Sequence, residues 1–165
     1  MKQEDNQNIL KEISVLQDKK LSKIGRAAAM AWFSFLSDEQ KEYALHLQCG
    51  FRICADGEIL TANLDMFEPT EALEESPSFD WETFNWDVQG FNRYDEWTTR
   101  YNKDKENHAT VKNVKVNTYG DLTIEFSNGI IIEVFSNAAT GECWRFFERK
   151  ADRHLVVSAR GMEEY

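Results

Sequence analysis

Two tight-turn signals between short apolar runs constrain the fold of this chain more than any other feature. Asp56-Gly57 precedes the run 58–64, and Asn128-Gly129 lies between the runs 122–126 and 130–135. Pairs of this kind supply the positive φ angles that two-residue hairpin turns require. Short antiparallel strands are therefore predicted, with side chains that alternate between the two faces of a sheet.

Helical spacing appears twice, each time ahead of a group of predicted strands. Helices are predicted over 7–20 and 92–104 from apolar residues three or four positions apart, namely Ile9, Ile13 and Leu16 in the first and Tyr94, Trp97 and Tyr101 in the second. Strands are expected over 29–36, 43–54, 58–64, 111–116, 122–126, 130–135, 143–148 and 154–159. The predicted fold class is α+β, with a curved and mostly antiparallel sheet.

The two halves of the chain, 7–64 and 92–160, are similar in pattern. Each reads as a helix followed by an antiparallel meander, and the segments 31–35, 43–47 and 51–53 align with 122–126, 130–134 and 144–146. An internal duplication within one domain over 1–165 is one hypothesis. The alternative is that any two β-meanders share this alternation. Residues 65–91 would form an acidic, aromatic connector between the halves.

Composition and charge indicate a compartment and exclude some partners. The longest apolar run, 27–33, is too short for a membrane helix, and the polar start of the chain is unlike a secretory signal. Three cysteines without a CxxC pair favour reduced thiols, so we expect a cytoplasmic protein. A net charge of −10 argues against binding to nucleic acid.

The stretch 45–54, LHLQCGFRIC, raises the question of a metal or thiol site. Read as one strand, it places Cys49 among apolar residues on the core face and His46 on the opposite face. A regular strand cannot hold one metal ion from both faces, so no metal site is expected. A Cys–His pair formed by distant parts of the chain stays open, although structural thiols are favoured because no hydrolase motif is present.

Arg52 and Arg145 occupy matching positions in the two halves. We expect each to pair with a carboxylate on the polar face of the sheet. The alternative is an anion-binding pocket for a phosphate or carboxylate ligand, built by Arg52, Arg145 and His46.

Almost all of the charge imbalance lies in residues 65–97. This window holds ten acids, one base (Arg93) and eight of the 21 aromatic residues, whereas the other 132 residues carry 19 acids and 18 bases. Its aromatic residues could pack on the sheet as anchors of a solvated connector. The functional interpretation is an interface, in which aromatic anchors and carboxylates meet a basic protein. The candidate partner-binding residues are Asp80, Trp81, Glu82, Trp86, Asp87, Asp95 and Glu96.

Several strings in the chain together resemble a family of small bacterial proteins of unknown function. They are ALHLQCGFRI, NLDMFEP, FNWDVQG, LTIEFSNGIIIEVF and ECWRFF, within a span from about residue 24 to residue 160. Similar small acidic proteins are often immunity proteins, which neutralise a toxin, and that analogy implies the first functional hypothesis.

This first hypothesis is a non-enzymatic protein-binding module, an immunity-type inhibitor of a basic, nuclease-like toxin. It needs no cofactor, and the window 65–97 would be its binding surface. The second hypothesis is a small-ligand-binding protein or enzyme that uses the two arginines and the histidine of the polar sheet face. A homodimer formed through sheet edges or through the aromatic window is the third.

Overall fold

The computed structural model describes residues 3–104, 108–158 and 160–165 and confirms the α+β class. The helices are α1 (Gln3–Ile13), α2 (Glu71–Glu74) and α3 (Arg93–Lys103), with 3-10 turns at Ser14–Leu16 and Asn63–Phe67. The strands are β1 (Lys20–Ala27), β2 (Met30–Leu36), β3 (Glu42–Leu47), β4 (Gly50–Ala55), β5 (Glu58–Ala62), β6 (Val111–Val116), β7 (Leu122–Phe126), β8 (Ile131–Phe135), β9 (Glu142–Glu148), β10 (His154–Ser158) and β11 (Gly161–Glu164).

The strands form two antiparallel sheets where one curved sheet was expected. The six-stranded sheet has the order β1-β2-β3-β9-β10-β11, and the five-stranded sheet has the order β5-β4-β8-β7-β6. Alternation gives each sheet one apolar face, and the two apolar faces bury each other. Aromatic rings meet across the interface, with centroids 6.0 Å apart for Phe33 and Phe51 and 6.4 Å apart for Phe35 and Phe126.

The chain crosses between the sheets inside the stretch that was predicted as one strand. Residues 43–54 form β3 in one sheet and β4 in the other, with the break at Gln48 and Cys49. Apolar side chains on both sides of the break, Leu47 and Phe51 among them, stay buried. Because both sheets turn their apolar faces to one core, apolar and polar residues keep alternating through the crossing. The sequence pattern therefore does not reveal where the chain changes sheets.

Strand β1 was not predicted, because its sequence lacks regular alternation. A β-bulge between Leu21 and Lys23 places Leu21 and Ile24 on the core side at a spacing of three residues. A bulge inserts one extra residue and shifts the side-chain period. Arg26 also lies on this buried side of β1, with only 8% of its surface exposed.

The two halves of the chain have the same topology. In each half a helix precedes three meandering strands in one sheet, and the chain then crosses to the other sheet: α1 and β1 to β3 lead to β4, as α3 and β6 to β8 lead to β9. The strand register agrees with the sequence alignment, which pairs His46 with Glu133 and Arg52 with Arg145. In the first sheet His46 lies opposite Arg145, and in the second sheet the corresponding Glu133 lies opposite Arg52. The shared topology supports an internal duplication, which stays a prediction.

The two long helices cover the two open sides of this sandwich. Helix α1 packs against β6 and β11, and α3 packs against β1 and β5. The apolar residues that predicted the helices are buried or half-buried in the core, as expected. No helix in the described ranges is long and apolar enough to cross a membrane.

Helix α3 also covers the outer edge of β1. Asn102 accepts a hydrogen bond from the Ile24 amide (2.9 Å) and donates one to the Ile24 carbonyl (2.7 Å). The Tyr101 hydroxyl donates to the Leu21 carbonyl (3.1 Å). Because these contacts satisfy the backbone of an edge strand, this edge is not open to pairing with a second chain.

Candidate protein-binding surface

The acidic window forms a loop whose two ends are joined beside α3. The Thr70 amide donates to the Phe91 carbonyl, and the Arg93 amide donates to the Glu68 carbonyl, each over 3.0 Å. Residues 70–91 therefore leave and rejoin the fold at one place, and we call this segment the insert.

A buried arginine fastens the insert to the sandwich. Arg26 donates to both carboxylate oxygens of Asp95 (2.7 and 2.8 Å), to Asp87 (3.0 Å) and to the Trp86 carbonyl (3.2 Å). The side chains of Arg26 and Asp95 are 2% and 0% exposed, and Asp95 also accepts from the Gly90 amide (2.8 Å). The hydrogen bonds to Asp95, then the charge of Asp95 and the contact with Asp87, raise the pKa of Arg26. We call Arg26, Asp87 and Asp95 the anchor, because they join β1, the insert and α3.

The anchor corrects part of the predicted interface. Asp95 is fully buried, so it cannot contact a partner, and its role is to hold Arg26. Asp87 keeps 54% of its side chain exposed but is ion-paired, and Trp86 is half-buried with its ring 5.8 Å from the Arg26 guanidinium. Arg26 was not among the functional residues that the sequence predicted. The only available signal was a lone cation between Gly25 and three alanines.

The far end of the insert, residues 76–85, is called the tip. Phe79, Trp81 and Phe84 pack on one another there, with ring centroids 5.2 to 5.9 Å apart. None of the three belongs to the buried core formed by the described residues, and Trp81 is 55% exposed. The Glu82 amide donates to the Asp80 carboxylate (2.9 Å), which holds the turn between these rings. The tip aromatics are therefore not anchors of the connector on a sheet.

Most carboxylates of the window form no ion pair with the part of the chain that the structure describes. Arg26 pairs with Asp87 and Asp95, and Arg93 pairs with Glu74. Six further acids are exposed and form no ion pair with any described residue: Glu68, Glu71, Glu75, Asp80, Glu82 and Glu96. The insert and the start of α3 thus present a strongly negative surface.

The two predicted anion-binding arginines lie on opposite outer faces. Arg52 on β4 pairs with Glu133 (2.5 Å) on the five-stranded sheet, and Arg145 on β9 pairs with Glu142 (2.5 Å) on the six-stranded sheet. The expected carboxylate pairing is confirmed. One pocket built by both arginines is excluded, because the packed core separates them.

A cleft of about 560 Å³ does lie beside Arg145, on the outer face of the six-stranded sheet. Its lining includes Glu142, His154 and Arg160, and His46 lies next to Arg145 in register. Burial, and then the nearby Arg145 and Arg149, lower the pKa of His46. The structure thus brings His46 and Arg145 together.

Two of the three cysteines, Cys49 and Cys54, show no sign of activation. Cys49 lies where the chain crosses between the sheets, and burial, followed by nearby Cys143 and Asp121, raises the pKa of its thiol to about 12. Burial also raises the pKa of Cys54. A nucleophilic thiol needs a lowered pKa. Within the described ranges, no three His, Cys, Asp or Glu side chains form a group suited to a metal ion.

Comparisons of the chain with protein-family models, with curated proteins and with solved structures find no match. The resemblance to a family of small bacterial proteins stays a prediction.

Proposed function

We propose that this protein is a protein-binding module that presents the tip of its insert to a basic protein partner. The observation that carries the proposal is the exposed tip, whose Asp80 and Glu82 form no ion pair with any described residue. Trp81 lies between these two acids, on a loop that the anchor fixes. Aromatic residues supply interface anchors, and carboxylates steer a cationic partner during its approach.

The particular function that this surface fits is that of an immunity-type inhibitor of a basic, nuclease-like toxin. A nuclease site must be cationic to hold phosphates. An acidic surface that covers such a site blocks it without any catalytic step. The net charge of −10 and the analogy with small acidic immunity proteins both support this role.

The test uses a charge reversal confined to the tip. The double substitution Asp80→Lys and Glu82→Lys is compared with Asp38→Lys and Glu39→Lys, which reverse two exposed charges in the turn between β2 and β3. Both variants and the original protein are immobilised and used to capture partners from the source cells, and the association rate of each purified partner is then measured against salt concentration.

The proposal predicts a basic partner that the original protein and the control variant retain and the tip variant loses. Its association with the tip variant should be slower and less dependent on salt, because electrostatic steering is screened by ions. A partner that binds the tip variant as fast as the original protein would contradict the proposal.

A second candidate is the binding of a small anion in the cleft beside Arg145. The observation in its favour is the cleft itself, which the histidines and arginines of the six-stranded sheet line or adjoin. Inorganic phosphate and citrate serve as probes. A ligand that binds only the folded state raises its Tm, and Arg145→Gln should remove that rise. An unchanged Tm with both anions would contradict this candidate.

A further inference from the structure

The insert contains a small pocket between its aromatic side chains. The opening has a volume of about 180 Å³. Leu73, Phe79, Phe84 and Phe91 form its apolar walls, and Asp80 is one of its polar lining residues. For comparison, an engineered protein cavity of about 150 Å³ binds benzene. The pocket is therefore of the right size for one large side chain.

The walls of the pocket are held in place by hydrogen bonds and by ring packing within the insert. Leu73 belongs to α2, where its amide donates to the Thr70 hydroxyl (3.3 Å). Phe91 is tied to Thr70 through its carbonyl, and the third wall is the packed pair Phe79 and Phe84 from the tip. A pocket whose walls are fixed in advance loses less conformational entropy when it is filled.

Asp80 gives this partly apolar pocket a negative charge. One of its carboxylate oxygens accepts from the Glu82 amide, and Asp80 forms no ion pair with any residue in the described part of the chain. An apolar side chain that filled the pocket would desolvate this carboxylate without compensation, at a cost in free energy. An acidic side chain would be repelled. The charge therefore selects a cationic occupant.

We propose that the pocket receives an arginine side chain of the protein partner, a proposal that rests on the function proposed above. The methylene stem would lie along Leu73 and the phenyl rings, and the guanidinium would donate to Asp80. Arginine fits better than lysine because its planar head is less strongly hydrated and packs on aromatic faces. Buried arginines are also among the residues that contribute most to interface affinity.

The experiment uses N-acetyl-argininamide and its neutral isostere N-acetyl-citrullinamide as probes. Both are titrated into the whole protein while NMR records the Leu73 methyl and Trp81 indole N–H signals. The arginine derivative should shift both signals with a saturable curve, and the citrulline derivative should bind at least about tenfold more weakly, because it lacks the charge-assisted contact.

Two isosteric variants locate the charge that matters. Asp80→Asn keeps an oxygen for the Glu82 amide, so the turn is retained, and it should weaken the arginine derivative at least about tenfold. Glu82→Gln removes a neighbouring charge that does not line the pocket, and its effect should stay below about threefold. The Tm of each variant reports whether the fold is intact.

Equal binding of the arginine and citrulline derivatives, or shifts that leave Leu73 unaffected, would overturn the arginine pocket. Tighter binding of N-acetyl-lysinamide than of the arginine derivative would overturn the choice of arginine. The proposed function would survive each of these results if the tip charge reversal still removed the partner. Conversely, a partner indifferent to the tip reversal would refute the proposed function whatever the probes showed.

Discussion

The anchor and the tip of the insert share acidic and aromatic residues, yet the anchor holds the fold together and the tip presents an exposed surface. Each has a carboxylate next to a tryptophan in the chain, Asp87 after Trp86 at the anchor and Asp80 before Trp81 at the tip. At the anchor, Asp95 is fully buried against Arg26, whereas at the tip Asp80 and Glu82 are exposed without an ion pair to any described residue. The difference lies in one cation supplied by a distant strand. A carboxylate that pairs with a buried cation stabilises the fold. A carboxylate without such a partner keeps its charge exposed and available for binding.

The most severe way to break this comparison is to remove the buried cation. Arg26→Met should lower the free energy of unfolding by about 3–5 kcal/mol, because it leaves Asp95 charged and unpaired inside the protein. In a chain of this size that corresponds to a Tm lower by about 10 °C. Thermal and urea unfolding measure both quantities.

The matched control is Arg52→Met, which removes an arginine from an ion pair that is 42% and 31% exposed. Its loss of stability should be much smaller, because exposed ion pairs are screened by water and salt. Similar losses for the two variants would show that burial does not distinguish the anchor.

A milder change compares two asparagines, one at each place. Asn92 is fully buried at the start of α3, where it accepts from the Asp95 amide (2.8 Å) and donates to the Trp86 carbonyl (2.9 Å). Asn92→Ala should cost about 1–2 kcal/mol, as the loss of a helix N-cap does.

At the exposed tip, Asn85→Ala removes only a local contact to the Asp87 amide, and it should cost at most about 0.5 kcal/mol. Chemical denaturation of both variants tests the difference. If the Asn85 variant lost as much stability as the Asn92 variant, the tip would be needed for the fold and would not differ from the anchor in this respect.

The smallest expected effect concerns the outer sheet face, where charge is neither as buried as at the anchor nor as open as at the tip. The pKa of half-buried His46 is lowered from its ordinary value of 6.5, first by burial and then by Arg145 and Arg149. Just below pH 6.5 the unfolded state binds more protons at this histidine than the folded state does. The contribution of His46 to stability is therefore complete above about pH 6.5 and is lost as the pH falls through the lowered pKa.

His46→Gln should therefore flatten the pH dependence of stability on the acid side of pH 6.5. Tm measured as a function of pH gives the comparison with the original protein. A variant that loses stability on acidification as steeply as the original protein would show that His46 does not titrate with a lowered pKa.

Much of the local structure was predictable because it depends on neighbours in the chain. The Asn128-Gly129 hairpin lies where its pair of residues indicated, between β7 and β8. The spacing of Ile9, Ile13 and Leu16 identified the buried side of the first helical segment. The parity of 45–54 placed four of its five apolar residues in the core and left only Cys49 half-buried, although the chain changes sheets within it. Side-chain alternation does not depend on which sheet a strand joins.

Other features depended on contacts that the sequence does not show. The bulge in β1 removed the alternation that identifies a strand. Sequence alone could not distinguish Asp95 from the exposed acids near it, because the distinguishing contact comes from Arg26, which is 69 positions away in the chain. It likewise placed Arg52 and Arg145 in matching positions, but only the packing of two sheets put them on opposite faces.

By itself, then, the sequence determined the secondary structure that short-range periodicity and turn residues encode, the concentration of acids in one window and the similar residue pattern of the two halves. The tertiary structure alone decided which acids are compensated. Burial and ion pairing depend on distances between residues far apart in the chain. These distances exist only once the two sheets and α3 have packed around Arg26.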